Sequence, residues 1–230
     1  MKIDILSLFP KYFESPLEES IIKRARDAGI LDVHCHNIRD HAKGPHAKVD
    51  DRPFGGGPGM VLMAEPVASS IRSLKRENSC VIYLSPQGTP LNAALCRSSA
   101  NLEHIILLCG HYEGIDERVL ESLVDMEISI GDFVLTSGCP AALVFIDAIS
   151  RFVPGVLGHE DAAEDESFEN DLLEYPHYTR PRIFEGKAVP SILLEGNHGE
   201  IAKWRHAKAL ERTQSRRPDL IDPIPQEKTS

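Results

Sequence analysis

The feature of this sequence that most limits its fold is a series of short runs rich in valine, isoleucine and leucine within residues 1–150. The clearest runs lie at 80–84 and 104–109, and further runs occupy 2–8, 31–38 and 127–135. A strand that is apolar at every position is typical of a parallel sheet with helices on both faces. Because segments of helical character separate the runs, the sequence predicts an α/β fold with a mostly parallel sheet flanked by helices.

The composition changes after Gly158, which indicates a domain boundary. Residues 159–171 are acidic and carry almost no apolar side chains, as a linker does. A proline-rich stretch follows, and residues 198–212 predict a helix with Asn197 as its N-cap residue. We therefore expect a first domain at 1–158, a flexible acidic linker at 159–171 and a small all-helical domain at 172–230.

Cysteine usage and the length of the apolar runs exclude several classes of protein. The five cysteines are scattered and never spaced as Cys-x-x-Cys, which argues against a disulfide framework or a zinc ribbon and favours the cytoplasm. His34, Cys35 and His36 alternate along a predicted strand and cannot converge on one ion, so we predict no metal site. The apolar runs are also far shorter than a membrane span, and we expect no membrane partner.

The charge of the chain is unevenly distributed. The formal net charge of −10 argues against indiscriminate binding of nucleic acid over the whole surface. Basic residues nevertheless gather near the C-terminus, at Lys203, Arg205, Lys208, Arg212, Arg216 and Arg217. This clustering suits a local patch that contacts phosphates, and it equally suits a solvated helix face.

Glycine-bearing loops follow or adjoin two of the apolar runs, at 110–114 and 129–132. Glycine lets a backbone approach a ligand closely, and ligands of α/β sheets lie beyond the carboxyl ends of the strands. The glycines at 55–59 are not followed by Gly-Lys-Ser/Thr, so they do not form a P-loop, and no Gly-x-Gly-x-x-Gly follows the first strand. The pattern indicates an enzyme that holds a small cofactor largely with backbone groups.

Six motifs in a fixed order give the chain a resemblance to a known family. They are RPFGGGPGM at 52–60, YLSPQG at 83–88, YEGIDER at 112–118, SIGD at 129–132, FVPGVLG at 152–158 and PHYTRP at 176–181. Together they resemble the bacterial tRNA (guanine-N1)-methyltransferases of the TrmD type, which belong to the SPOUT class. The resemblance runs from Lys2 to about Leu220.

This resemblance implies both an architecture and a reaction. It implies a deep trefoil knot in the C-terminal part of the first domain, a homodimer, and methyl transfer from S-adenosylmethionine to N1 of the guanine just 3′ of the tRNA anticodon. It also adds Mg²⁺ as a second candidate cofactor. Carried onto this sequence, the cofactor-binding residues are Tyr83, Leu84, Ser85, Pro86, Gly110, Tyr112, Glu113, Ile130, Gly131, Asp132, Phe133, Val134, Leu135 and Gly138.

The implied reaction needs a base and a cation, but no enzyme nucleophile. The sulfonium of the donor is already electrophilic, whereas guanine N1 carries a proton whose removal places negative charge on O6. A carboxylate base and an arginine meet these needs. The resemblance assigns the arginine to Arg151, for which an ion pair with Asp147 on a helix surface is the alternative.

The base is one position where this sequence departs from the family. The family has aspartate directly before Ser-Phe, whereas this chain has Glu166 there and Asp165 one position earlier. Both carboxylates are candidates, and we favour Glu166. Neighbouring carboxylates would raise its pKa through like-charge repulsion and make it a better base near neutrality.

The tRNA contacts are expected in both predicted domains. The candidates for phosphate contact are Lys203, Arg205, Lys208, Arg216 and Arg217, and Asp50 and Arg52 beside the glycine loop are candidates to frame the target guanine. Mutation of several basic residues should flatten the salt dependence of tRNA affinity.

Two further departures bear on the cofactor site and keep other functions open. His111 stands where the family commonly has arginine, and residues 137–142 read SGCPAA instead of Gly-Gly-Glu-Leu-Pro-Ala. One alternative is a methyltransferase of the same fold that acts on another RNA atom, such as a ribose 2′ oxygen. Another is a tRNA-binding protein that has lost catalysis.

Overall fold

The computed structural model describes residues 1–158 and 166–221, in two compact units that span Met1–Glu160 and Asp161–Ser230. Most of the predicted linker at 159–171, including Asp165, lies outside the described residues. Among the described residues, no helix is both long and apolar enough to cross a membrane.

A five-stranded sheet forms the centre of the described part of the first unit. Its strands are β1 (Lys2–Ser7), β2 (Asp32–Asn37), β5 (Ser79–Pro90), β6 (His104–Cys109) and β7 (Met126–Ser129). They lie in the order β2-β1-β6-β5-β7, and every neighbouring pair is parallel. Each residue of β6 is buried, which explains its unbroken apolar run and confirms the prediction of a mostly parallel sheet.

Helices cover both faces of this sheet because alternate strand residues point in opposite directions. Ile3 and Ile5 belong to one buried cluster, while Leu6 and Leu8 belong to another. The first cluster includes residues of α1 (Glu14–Leu17), α2 (Ser20–Asp27), α4 (Ala93–Ser99) and α6 (Cys139–Ser150). The second includes residues of α3 (Ala64–Leu74) and α5 (Glu117–Leu123).

A two-stranded hairpin joins the glycine loop to this framework. Strand β3 (Asp50–Asp51) pairs antiparallel with β4 (Val61–Leu62), so the loop that contains 55–59 connects the two. The Leu62 N–H donates to the carbonyl of Gly114 at 2.9 Å, which attaches the hairpin to the loop after β6.

The seventh strand is shorter than the sequence indicates. A strand was expected over 127–135, but β7 ends at Ser129. Gly131 has φ +147°, a conformation that takes the chain out of the strand. The side chains of Phe133 and Val134 that follow are 54 % and 84 % exposed, so their apolar character does not reflect burial.

In the second unit, the prediction of an all-helical domain is wrong. The expected helix is present as α7 (His198–Arg216), and the Asn197 side chain caps it by accepting from the Glu200 N–H at 3.3 Å. However, β8 (Ile183–Phe184) and β9 (Lys187–Ala188) form an antiparallel hairpin. Glu185 and Gly186 both have positive φ, as a tight hairpin turn requires.

Candidate functional site

Three loops of the first unit meet in one cleft at the edge of the sheet. Strands β6, β5 and β7 are neighbours and parallel, so their carboxyl ends lie at the same edge. The cleft is lined by the cofactor residues that the resemblance implied, namely Tyr83, Leu84, Ser85, Pro86, Gly110, Tyr112, Glu113, Ile130, Gly131, Phe133, Val134, Leu135 and Gly138. Asp132 lies in the same stretch and is exposed, but it is not part of the lining.

The first wall is an excursion within β5. Leu84 and Thr89 both pair with Ile128 of β7, so residues 85–88 leave the strand and return to the same partner. A Cβ at Gly88 would lie 2.6 Å from the Glu127 carbonyl oxygen, which only glycine avoids. The Ser85 hydroxyl donates to the Glu127 carboxylate and accepts from the Gln87 N–H at 2.9 Å. These bonds fix the excursion against β7.

The second wall begins where Tyr83 packs against Gly110. A Cβ at position 110 would lie 2.9 Å from the Tyr83 hydroxyl oxygen. Burial, together with the charge of Glu127, raises the pKa of Tyr83 to about 12. The phenol is therefore neutral near pH 7 and can donate a hydrogen bond in the cleft.

The second wall continues at Tyr112 and Glu113, which touch the glycine-loop hairpin. Tyr112 has φ +58°, which is uncommon for a residue other than glycine. Its hydroxyl is hydrogen-bonded to Asp50, and this bond raises the pKa of Tyr112. The Glu113 N–H donates to the Met60 carbonyl at 3.0 Å. Asp50, a predicted substrate contact, is thus linked directly to a residue of the cleft.

The third wall is the loop after β7, which folds back onto the loop after β6. His111 and Ser137 form an antiparallel bridge, and the Gly138 N–H donates to the Gly110 carbonyl at 2.8 Å. A Cβ at Gly138 would lie 3.0 Å from the Cα of Cys109, so the two loops are in close contact.

The cleft lining also includes residues that were not named individually as cofactor contacts, although several lie in the predicted loops 110–114 and 129–132 or in the segment 137–142. They are His111, Gly114, Ile128, Ser129, Thr136, Ser137 and Ala141. Most are direct neighbours of assigned residues, and this adjacency is the signal that could have identified them. The His111 ring lies edge-on to Phe9, with 5.0 Å between ring centroids, and its Nδ1 is buried without a hydrogen-bond partner in the described part of the chain.

The predicted catalytic residues lie outside this cleft lining. Arg151 is partly buried and directly follows α6. Glu166 belongs to the second unit, where it lines a cavity together with Tyr175, Arg205 and His206. Asp165 lies outside the described residues. Because Arg151 and Glu166 belong to different units, their catalytic roles stay predictions.

Most of the residues predicted to contact phosphates are exposed, and most of them interact with a nearby side chain of the same unit. Lys203 pairs with Glu200 at 2.9 Å, and Lys208 pairs with Glu211. The Arg205 guanidinium lies 4.7 Å from the centroid of the Tyr175 ring. Arg217 pairs with Asp219 at 2.8 Å, and Arg216 is the exposed last residue of α7.

Arg52 lies in a separate groove of the first unit. This groove runs between the glycine loop, α3 and α5, and its lining includes Phe54, Arg72 and Arg118. Phe54, which directly precedes the glycines at 55–57, is fully exposed. Arg52 and Asp50 thus face different surroundings although they are two residues apart.

The Mg²⁺ implied by the resemblance has no recognisable site in the described part of the chain. Within residues 1–158 and 166–221, no group of three or more His, Cys, Asp or Glu side chains is arranged to hold a metal ion.

The fold and the cleft define an α/β protein with a candidate small-molecule site at one edge of a parallel sheet. A family model described as "tRNA (Guanine-1)-methyltransferase TrmD" matches residues 1–223. The chain belongs to this family, which confirms the resemblance drawn from the six motifs.

Curated relatives support the same assignment. A tRNA (guanine-N(1)-)-methyltransferase of Protochlamydia amoebophila is 61% identical over 221 residues, which cover 96% of this chain and 100% of the relative. Proteins of the same name from Chlamydia pneumoniae and Chlamydia abortus are 62% and 60% identical over 220 residues. This chain spans only 61% and 62% of the length of these two relatives.

Proposed function

We propose that this member of the tRNA (guanine-N1)-methyltransferase family binds S-adenosylmethionine in the three-loop cleft and methylates N1 of the guanine 3′ of the anticodon in tRNA. The observation that carries the proposal is the convergence of the excursion within β5 and the loops after β6 and β7 on one cleft. Family membership supports the substrate and the reaction.

The cleft offers groups that suit a polar, positively charged cofactor. Glycines 110 and 138 let two walls of the cleft approach each other where side chains would collide with their neighbours. Tyr83 offers a neutral hydroxyl, and the exposed Glu113 offers a carboxylate for a positively charged group. When bound, S-adenosylmethionine supplies an electrophilic methyl group. The protein then has to position the guanine and remove its N1 proton.

We assign proton removal to Glu166, with Asp165 as the alternative carboxylate. Glu166 shares its cavity with Arg205 and His206, so it lies among groups that can bind RNA. Arg151 is assigned to the guanine O6, where it would stabilise the negative charge that develops as the proton leaves. Single Glu166→Gln and Asp165→Asn variants test the assignment in methyl-transfer and cofactor-binding assays. If neither variant slows transfer, the carboxylate base is refuted.

We also propose that the trefoil knot and the homodimer implied by the resemblance exist in this chain. The return of the chain from β7 to the end of β6, followed by α6 packing against Ser7 of β1, supports a threaded path. The exposed apolar side chains of Phe133 and Val134 support a second copy as the element that covers them. Analytical ultracentrifugation should then find a dimer, and Val134→Asp should shift it to a monomer.

The tRNA is proposed to contact both units. In this assignment Asp50 and Arg52 frame the target guanine, and Lys203, Arg205, Lys208, Arg216 and Arg217 contact phosphates. Their local ion pairs are exposed, and exposed pairs contribute little, so phosphates can displace them. A tRNA-modifying enzyme of this kind acts where tRNA is used, in the cytoplasm.

One experiment tests the reaction directly. The protein is incubated with an unmodified tRNA transcript and S-adenosylmethionine carrying a labelled methyl group, and the labelled nucleotide is mapped by mass spectrometry. We expect 1-methylguanine at the position 3′ of the anticodon. Label on a ribose oxygen would favour the alternative methyltransferase, and tRNA binding without any transfer would favour the loss of catalysis.

A further inference from the structure

Two buried cysteines lie directly behind the cleft. Cys109 is the last residue of β6 and precedes Gly110, and Cys139 is the first residue of α6 and follows Gly138. Each cysteine is 1% exposed. Because the two glycines are hydrogen-bonded to each other, the cysteines flank the contact between two walls of the cleft.

The surroundings of Cys139 stabilise its thiolate. The Cys109 thiol interacts with the Cys139 sulfur, and the Ser7 hydroxyl lies 3.2 Å from it. Cys139 also occupies the first turn of the 12-residue helix α6, where the helix dipole favours negative charge. The interaction with the Cys109 thiol, as the largest contribution, and those with the Ser7 and Ser137 hydroxyls lower the pKa of Cys139 to about 6, whereas the interaction between the two cysteines raises the pKa of Cys109.

The backbones of the two cysteines are close enough to be bridged. The space beside Gly138 is so narrow that a Cβ there would lie 3.0 Å from the Cα of Cys109. The antiparallel bridge between His111 and Ser137 sets a register in which residue 109 comes opposite residue 139. Residues directly opposite each other in an antiparallel pair have Cα atoms roughly 4.5–5.5 Å apart, which is within the roughly 4.4–6.8 Å that a disulfide joins. Cys139 stands where the resemblance places a glutamate, so it is one of the positions at which this sequence departs from the family pattern.

We propose that Cys109 and Cys139 form a reversible oxidation site that takes hydrogen peroxide as its oxidant. The Cys139 thiolate attacks the peroxide, so that a sulfur–oxygen bond forms, the oxygen–oxygen bond breaks and hydroxide leaves. The Cys109 sulfur then attacks the Cys139 sulfur. A disulfide forms, the sulfur–oxygen bond breaks, and the Cys109 proton leaves with that oxygen as water. The two thiols lose two electrons, and with a proton from solvent the peroxide becomes two water molecules.

Oxidation at this site changes the walls of the cleft. A disulfide brings the two sulfur atoms to about 2.05 Å, well inside the distance of a hydrogen-bonded pair. Gly110 and Gly138 are covalently attached to the cysteines and must shift with them. The affinity of the cleft for its ligand therefore falls on oxidation. This consequence rests on the proposed cofactor site, whereas the oxidation itself does not.

Peptide mapping tests the oxidation. The reduced full-length protein is treated with hydrogen peroxide, alkylated in denaturant, digested and analysed by mass spectrometry. We expect one peptide pair linked through Cys109 and Cys139. A bridge from Cys139 to Cys35, or the absence of any bridge in the peroxide-treated wild-type protein, would overturn the proposal, and neither outcome depends on a variant that folds. Cys139→Ser should abolish the link, and Cys96→Ser, a buried thiol in the same core cluster, should leave it unchanged.

Calorimetry with S-adenosylhomocysteine tests the consequence. We expect the oxidised protein to bind it about tenfold more weakly than the reduced protein, with recovery after dithiothreitol. Equal affinities of the two forms would overturn the coupling to the cleft. A reduced protein that does not bind the probe at all would count against the proposed function and leave the mapped disulfide unaffected.

Discussion

At the scale of single residues, the packing of Tyr83 against Gly110 explains why position 110 needs a glycine. The Tyr83 hydroxyl oxygen lies 2.9 Å from the place where a Cβ would be, and the ring carbon Cε2 lies 3.1 Å from it. Both residues line the cleft, so a collision between them displaces its wall.

We therefore expect Gly110→Ala to weaken the binding of S-adenosylhomocysteine by about tenfold, or ~1.4 kcal/mol. Tyr83→Phe in the same protein removes the colliding oxygen and should restore part of the affinity. Calorimetry gives both values. Gly158→Ala is the control, because a Cβ at that position meets no atom within 4 Å. Equal losses in the single and double variants would show that the collision is not the cause.

A second feature at this scale is the buried carboxylate of Asp4, which is 1% exposed. His104 lies 2.7 Å from one of its oxygens and His36 lies 2.8 Å from the other. The Lys2 ammonium is 3.1 Å away. Burial acts to raise the pKa of Asp4, but these contacts together lower it below its ordinary value.

The lowered pKa fixes how stability depends on pH. The charged Asp4 contributes fully above the carboxyl pKa of the unfolded chain, about 3.9, and its contribution is lost as the pH falls through the lower folded pKa. We expect Asp4→Asn to reduce the free energy of unfolding by about 3 kcal/mol at pH 7, and the difference to shrink below about pH 3.

Urea denaturation at several pH values measures this difference, with Asp27→Asn as a control because its ion pair with Lys23 is exposed. A difference that is independent of pH would contradict the role of the charge.

At the scale of elements, a buried threonine helps to attach α7 to the segment before it. Thr213 is fully buried, accepts from the Leu173 N–H at 2.8 Å and donates to the Ala209 carbonyl at 2.7 Å. The backbone of 173 thus depends on a side chain of the helix.

Thr213→Val keeps the shape of the side chain but leaves the Leu173 N–H without its acceptor. The expected loss is about 1–3 kcal/mol in the unfolding of the second unit, which is the cost of an unsatisfied buried donor. Thermal unfolding followed by circular dichroism measures it. Gln214→Ala on the exposed side of the same helix should have almost no effect, and a comparable loss in that variant would refute the explanation.

The sequence predicted some elements well and others poorly, for physical reasons. The apolar run of β6 predicts its burial on both faces of the sheet, and the structure confirms it. The cap at Asn197 could be predicted because it depends only on residues close to it in the sequence. The end of β7 was misplaced because Phe133 and Val134 look like strand residues although they are exposed. The β8–β9 hairpin was missed because strands of two residues are too short to show a periodic pattern.

At the scale of the whole molecule, the position of the cleft depends on the order of the strands. The sequence predicted which loops carry glycine, but it did not show that β6, β5 and β7 lie side by side. That order follows from long-range pairing. The resemblance of the motifs to the family predicted that the three loops form one site, which local sequence patterns could not predict.

In the proposed function the first unit binds the cofactor and the second unit contacts tRNA phosphates. Variants of the second unit should therefore weaken tRNA binding without weakening cofactor binding. Alanine at Lys203, Arg216 and Arg217 should reduce the slope of log affinity for tRNA against log salt by about 0.7–0.9 for each lost phosphate contact. Affinity for S-adenosylhomocysteine should stay unchanged, since the cleft belongs to the first unit.

Fluorescence titrations at several salt concentrations measure this slope. Alanine at Arg24 and Arg76, which are exposed in the first unit, serves as the control. Equal slopes for the wild type and the variant with alanine at Lys203, Arg216 and Arg217 would show that these residues do not contact tRNA phosphates.

The excursion at 85–88 begins and ends opposite the same residue, Ile128. A change in the length of the segment between Leu84 and Thr89 would leave the pairing of β5 with its neighbours unchanged. The depth of the cleft can therefore be altered by insertion or deletion at this one place, which makes it a suitable position for accommodating larger analogues of the proposed methyl donor.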